Sequence, residues 1–349
     1  MAKRKTISIK DVARESGASL TTVSLVLNRR ARRISPETRQ RVMETANRLG
    51  YRPSRLAQGL QAQRAGVLAI LVPQIRRAFA DAYFGELISA IHEHAGEAEW
   101  KILLEVAYPR FIETRQHLEL FDRHFVDGLL CLGVTSRDEY LRDFARIGTD
   151  SARPVVVVNN YLPGVTLNHV RCDYHQAGRL AAEYLIGLGH RRIGLIHGAS
   201  EVQTSWDLRR GFEESLAEAG IDLPASRVED GLYTEEGGAA AVAALLRREP
   251  ALTAVMTGND KMAVGAISAL KESGRSVPDD ISVVGCDDMH QAAYCDPPLT
   301  TVHTPIYEVG RRACESLLEL IEGRQQSVEE TLPVYLTVRR SAAPPRATS

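Results

Sequence analysis

Ser8-Ile9-Lys10-Asp11-Val12-Ala13-Arg14-Glu15-Ser16-Gly17-Ala18-Ser19-Leu20-Thr21-Thr22-Val23-Ser24-Leu25-Val26-Leu27-Asn28 is the stretch from which the rest of the chain is understood. Ser8 and Asp11 stand three residues apart, the spacing of a capping box at the start of a helix. Val12 and Ala13 give that helix an apolar face, and Gly17 supplies the sharp turn that ends it. Ser19 caps a second helix, on which Val23, Val26 and Leu27 recur at i, i+3 and i+4 and face inward. Two short helices joined at a glycine make a helix-turn-helix, whose second helix can lie in a DNA major groove. Its outward residues are then Leu20, Thr21, Thr22, Ser24 and Leu25. On spacing alone, an ordinary helical hairpin competes with this interpretation.

Charge distribution favours the nucleic-acid interpretation. The chain has 349 residues and a formal net charge of −1. Residues 1–64 hold 15 Lys and Arg against 4 Asp and Glu, a net of +11, so the remainder carries −12. A basic, patterned module on an acidic body is the electrostatic footprint of a polyanion binder. Composition is otherwise that of a globular protein, 44% hydrophobic and 25% charged. No apolar run reaches the ~18 residues of a membrane-spanning helix, and the basic N-terminus lacks a signal-peptide core, so a cytoplasmic location is expected. The five cysteines are scattered without a CxxC, and read as free thiols.

Beyond the second helix, Arg29, Arg30, Arg32 and Arg33 form a basic loop suited to phosphates, which implies steeply salt-dependent binding. Ser35-Pro36-Glu37 opens a third helix, with Val42, Ala46 and Leu49 on one stripe and Gly50 at its end. Residues 1–50 are thus expected to form a small all-α headpiece. In residues 51–64, Ser54 can cap a helix of only two turns, weakened by Gly59. Leu56 and Leu60 share one face of it. Such a leucine is a candidate minor-groove wedge, and a plain linker is the alternative.

From Val67 onward short apolar runs alternate with helical stretches. The runs are Val67–Val72, Ile102–Val106, Gly128–Leu132, Val155–Val158, Ile193–His197, Ala254–Thr257 and Ile281–Gly285. Amphipathic segments lie between them, at Gly85–Ala95, Gln176–Gly187, Leu208–Ala219, Gly237–Arg248 and Met262–Ser273. This alternation predicts parallel sheets flanked by helices, in two α/β lobes. The expected lobes are about 65–160 with 292–325, and about 161–291 with 326–349. Ligands of such sheets sit at the carboxyl ends of strands. Here those ends carry Pro73-Gln74, Asn159-Asn160, Gly198–Thr204, Asn259-Asp260 and Asp287-Asp288, suited to a polar small molecule.

With these residues in place, the chain resembles the lactose-repressor/galactose-repressor (LacI/GalR) family of bacterial transcription regulators along nearly its whole length. The resemblance is carried by Ile9–Ala13 followed by Ser19–Asn28, by Tyr51-Arg52-Pro53 with Ala57 and Leu60, by Leu188–Ile193, by Asn259–Ala263, and by Val277–Asp288 with Leu299–Val302. It implies a periplasmic-binding-protein-like core of two lobes joined by three chain crossings. It also implies a homodimer on a near-palindromic operator, modulated by a small polar effector, a sugar or sugar derivative, in the cleft. The resemblance places Leu20 and Thr21 at the start of the recognition helix and Leu60, beside Ala57, as the minor-groove wedge. The DNA-facing set is then Ser19, Leu20, Thr21, Thr22, Ser24, Leu25, Asn28, Arg29, Arg32, Arg33, Tyr51, Ala57 and Leu60. Leu25 departs from the family, most of whose members have arginine there.

In the cleft, the resemblance implies that Asp287 bonds sugar hydroxyls, with Asn259 and Asp173 at other lining positions. Asn159 stands where many relatives have aspartate, and Tyr83 or Phe84 supplies the wall of the first lobe. Leu208 stands where many relatives carry a clamping arginine. Trp206, Asp207 or Arg209 could substitute for it, and Thr204 lies beside them. A regulator with an atypical effector, or none, is therefore the alternative. A secreted sugar-binding protein and an α/β enzyme are weaker ones. The chain has no P-loop, no G-x-S-x-G and no HExxH, and His92-Glu93-His94 points its two histidines in different directions. No catalytic residue, cofactor or metal is expected. The tail after Arg340 has no heptad leucines, which favours a dimer over a coiled-coil tetramer.

Overall fold

The computed structural model describes residues 7–27, 34–51, 64–74, 81–121, 125–147 and 153–346. Contacts divide the chain into two units, Met1–Ala65 and Gly66–Ser349.

The first unit contains three helices, α1 (Ile9–Ser16), α2 (Leu20–Leu27) and α3 (Pro36–Leu49). Each starts on a serine. Asp11 accepts from the Ser8 backbone N–H at 3.0 Å and from its hydroxyl at 2.7 Å, closing the capping box. The Ser19 hydroxyl accepts the Thr22 N–H at 3.0 Å, and Ser35 accepts that of Thr38 at 3.3 Å. Gly17 and Gly50 end α1 and α3 at φ +62° and +67°, a conformation that glycine adopts without a Cβ clash. Val12, Val23, Val26, Val42 and Ala46 are buried together, with Ile9, Leu27, Ile34, Leu49 and Tyr51 packed around them. The segment expected to form a hinge helix, including Ala57 and Leu60, lies outside the described residues, as do Asn28, Arg29, Arg30, Arg32 and Arg33.

The second unit holds two six-stranded sheets. The first sheet uses β1 (Val67–Pro73), β2 (Lys101–Ala107), β3 (Gly128–Leu132), β4 (Val155–Val158), β5 (Asn168–Cys172) and β11 (Glu329–Leu332), in the order β2-β1-β3-β4-β5-β11. The second uses β6 (Ile193–His197), β7 (Val228–Asp230), β8 (Ala254–Thr257), β9 (Ser282–Asp287), β10 (Thr300–His303) and β12 (Tyr335–Thr337), in the order β7-β6-β8-β9-β10-β12. All pairings are parallel except β10 with β12. The helices that matter for the site are α4 (Ala82–Glu97), α5 (Leu141–Ile147), α6 (Tyr174–Gly187), α7 (Gln203–Glu218), α8 (Glu235–Arg248), α9 (Asp260–Glu272) and α10 (Ile306–Ile321).

Strand periodicity distributes side chains to both faces of each sheet. Leu68, Ile70 and Val72 of β1 join one cluster, while Ala69 and Leu71 join another. Likewise Val284 and Cys286 of β9 face one core and Val283 the other. One cluster runs through both lobes by way of Val170, Cys172, Tyr174, Ala177 and Leu185. The central strands are therefore unbroken apolar runs, as a sheet covered on both sides requires.

The lobe limits differ from those expected. β5 belongs to the first sheet, so the first lobe continues to Cys172 instead of ending near 160. β10 belongs to the second sheet, so that lobe runs through His303, and β11 returns to the first sheet as far as Leu332. The chain thus passes between lobes after β5, after β10 and after β11. These three strands adjoin the crossings, and their polar residues hide the boundaries from an apolar-run count. Among the described residues no helix is long and apolar enough to cross a membrane, and all five cysteines are free.

Candidate functional site

Two surfaces carry functional chemistry. On the first unit it is the exposed side of α2. Val23 and Val26 are buried, leaving Leu20, Thr21 and Leu25 exposed, with Thr22 and Ser24 half-buried. The Thr22 hydroxyl is 2.8 Å from that of Ser19. Tyr51 is half-buried against the headpiece core, and its N–H donates to the Ala46 carbonyl at 2.9 Å.

The second surface follows from sheet topology. In both sheets the first three strands run in the order 2-1-3, so the chain reverses direction between β1 and β3, and again between β6 and β8. Loops splay apart at such switch points and leave a crevice at the carboxyl ends. Asn159, Asp173, Gly198, Asn259 and Asp287 lie at or just past those ends.

Asp287 ends β9 at φ +111° and is more than nine-tenths buried. Its Oδ1 accepts from the Thr304 hydroxyl at 3.3 Å, and among the described residues its other oxygen has no hydrogen-bond partner. Burial, then the charge of Asp260, pushes its carboxyl well above the usual carboxylate range. Asp260 is wholly buried, accepting from Thr301 Oγ1 at 2.6 Å and the Met289 N–H at 2.7 Å. Its carboxyl is pushed up to about 7 by burial.

Across the crevice, Asn159 sits at φ +62°. It accepts the Cys172 N–H at 2.8 Å and donates to the Tyr83 hydroxyl at 2.7 Å. Burial, and then the nearby Asp287 charge, raise the Tyr83 phenol. Of the two aromatic candidates, Tyr83 takes the polar wall. Phe84 packs in the core, where a Cβ added to Gly133 would lie 2.7 Å from its ring. Side chains also tie the lobes directly. Thr204 donates to Asn160 at 2.5 Å, the Tyr161 hydroxyl to Asp207 at 3.0 Å, and Lys261 pairs with Asp81.

The remaining sequence candidates are already engaged. Asp173 caps α6 by accepting the Gln176 N–H at 2.9 Å, and Asn259 caps α9 by accepting that of Met262 at 2.9 Å. The Trp206 indole donates to the Ser200 carbonyl at 2.8 Å, and Arg209 stacks on its ring while pairing with Glu213. Leu208 is core, so the position of the usual arginine carries no charge.

Tyr233 was not among the sequence candidates. Its ring lies against Gly198, where a Cβ would sit 1.9 Å away. Burial raises its phenol above its ordinary value, with the Asp287 charge acting in the same direction and the nearby Ser205 and Thr204 opposing it. Leu232 and Tyr233 both adopt positive φ, +53° and +59°, a costly pair for residues with side chains. The sequence signal available was a tyrosine one turn past a strand end, which is common enough to pass unnoticed.

An α/β core with polar side chains gathered at its strand ends, following a helix-turn-helix module, is the architecture of ligand-responsive DNA-binding proteins. Residues 8–54 match the model of the lacI family of bacterial regulatory proteins, and residues 182–342 match a periplasmic binding protein-like domain. The HTH-type transcriptional regulator GalS of Salmonella typhimurium is 35% identical over 313 residues, 90% of this chain and 89% of the relative. A lac repressor dimer bound to operator and the anti-inducer ONPF superposes with a TM-score of 0.84 at 26% identity, covering 97% of this chain and 100% of that one. A transcriptional regulator CelR–cellobiose complex gives 0.73 at 29% identity, covering 96% and 100%. The chain belongs to the lacI family of bacterial regulatory proteins. It is a DNA-binding transcription regulator and not an enzyme.

Proposed function

We propose that the protein is a cytoplasmic, homodimeric repressor that binds a near-palindromic operator and changes affinity when a neutral sugar or sugar derivative enters the crevice. The similarity to an operator-bound lac repressor dimer and to a cellobiose complex supports both halves of this reading. On the DNA side, Leu20 and Thr21 begin the recognition face, Arg29, Arg30, Arg32 and Arg33 meet phosphates, and Leu60 beside Ala57 wedges into the minor groove. On the ligand side, Tyr83, Asn159, Thr204, Tyr233 and Asp287 line the pocket, while Asp173 and Asn259 hold the helices that frame it.

The observation that carries the reading is Asp287, a carboxyl at a strand's carboxyl end with one oxygen unpartnered among the described residues, near an Asn159–Tyr83 pair from the other lobe. That oxygen keeps some solvent access, so a ligand hydroxyl can pair with it in place of water. Thermal-shift titrations with pentoses, hexoses and disaccharides, run on the wild type and on Asp287→Ala, test it. One sugar should raise the wild-type melting temperature by several degrees, as ~2.7 kcal/mol of linkage at a hundredfold excess over Kd implies. The variant should respond weakly or not at all. Equal stabilisation of both proteins would place the ligand elsewhere.

A further inference from the structure

The solvent side of α2 is chemically unusual for a surface that meets a polyanion. None of its eight residues is charged, and none is an amide. Leu20 is 46% exposed and Leu25 38% exposed, although four valines and an alanine of the same unit are buried. At 100° per residue, Val23 and Val26 define the inner side, and Thr21, Ser24 and Leu25 centre on the opposite one, with Leu20 at its edge. The Ser19 and Thr22 hydroxyls face each other at 2.8 Å, and Ser19 also caps the helix. The most exposed side chains of this face are therefore branched hydrocarbons with no hydrogen-bonding capacity, plus one threonine.

Among the edges that base pairs show in the major groove, the C5-methyl of thymine is the apolar feature. We infer that α2 reads its half-site through methyl contacts, with Leu20 and Leu25 each packing against a thymine. Five residues of helix span about 7.5 Å, roughly two base-pair steps of about 3.4 Å, so the two thymines stand two or three positions apart. The excess of positive charge in residues 1–64 supplies attraction to duplex DNA, and the leucines supply the choice of sequence. This inference rests on the DNA-binding reading above and specifies the base chemistry that reading leaves open.

In vitro selection with the full-length protein on a randomised duplex library identifies the half-site. Binding titrations then compare the selected duplex with one carrying deoxyuridine, which lacks only the methyl, at the chosen thymines. Selected half-sites should share two thymines at the stated separation. Loss of one methyl should weaken binding about fourfold, and loss of the symmetric pair in both half-sites somewhat more than tenfold. Leu25→Ala, a substitution on the exposed side, should bind the thymine and uracil duplexes for its position equally. Leu25→Arg should shift selection there toward guanine, which offers O6 and N7 to a guanidinium. Half-sites without thymine, or affinities for the uracil duplex within twofold of the parent, would overturn methyl readout while leaving DNA binding intact. A library that shows no enrichment at all would overturn the DNA-binding reading and this inference with it. Should Leu25→Ala lose its fold, the uracil comparison on the wild type decides alone.

Discussion

Asp260 shows how single residues of the crevice respond to their surroundings. Burial raises its carboxyl to about 7, against the pull of its two donors, Thr301 and the Met289 N–H. The folded protein therefore holds this proton more tightly than the unfolded chain, where an aspartic acid titrates near about 4. The stability contributed by protonated Asp260 is complete below about pH 4 and is lost as pH rises through about 7. Asp287, raised by burial and by the Asp260 charge, acts in the same direction. Asp260→Asn has no proton to lose, so its melting temperature should vary less between about pH 4 and pH 7 than that of the wild type. Equal slopes in the two proteins would contradict this. The residue scale is also where the sequence was least legible. Asp287 and Asn159 stood out as polar groups at strand ends, whereas the helix-capping roles of Asp173 and Asn259 and the inward turn of Tyr233 depend on backbone geometry that residue type does not encode.

At the scale of elements, α6 and α7 illustrate a contact that only glycine permits. A Cβ on Gly178 would lie 1.9 Å from the Leu208 carbonyl oxygen, and one on Gly211 the same distance from that of His175. Backbones at such separation cannot admit a methyl without the helices moving apart. Gly178→Ala should therefore destabilise the core by about 1–3 kcal/mol, the range typical of overpacking. Urea unfolding followed by circular dichroism reads this directly, and an unchanged midpoint would show that the crossing is looser than described. The elements that could be read from sequence are those with a strong physical signature. β1, β3, β4, β6, β8 and β9 are apolar because both faces are covered, and α1 to α3 announce themselves by serine caps, α1 and α3 also by glycine stops. β5 (Asn-His-Val-Arg-Cys), β10 (Thr-Thr-Val-His) and β11 (Glu-Glu-Thr-Leu) carry polar residues beside the chain crossings, and pairing with a neighbour, not composition, makes them strands.

For the whole molecule, the lobes of the core meet through side chains that flank the proposed ligand position. Asn160 with Thr204, Tyr161 with Asp207, and Asp81 with Lys261 all join one lobe to the other. A ligand that bonds Asp287 on one side and Asn159 or Tyr83 on the other biases the same lobe equilibrium that these contacts set. Regulation then takes the form of a population shift, with an effect no larger than the ligand's preference for one lobe arrangement. A preference of ~1–3 kcal/mol changes operator affinity from several-fold to about a hundredfold. The measurement that bears most directly on this coupling is a titration of the selected operator with the full-length dimer, in the absence and in saturating presence of the sugar that stabilises wild type but not Asp287→Ala. Operator Kd should change at least fivefold for the wild type and not at all for the variant; identical wild-type affinities with and without that sugar would contradict the coupling.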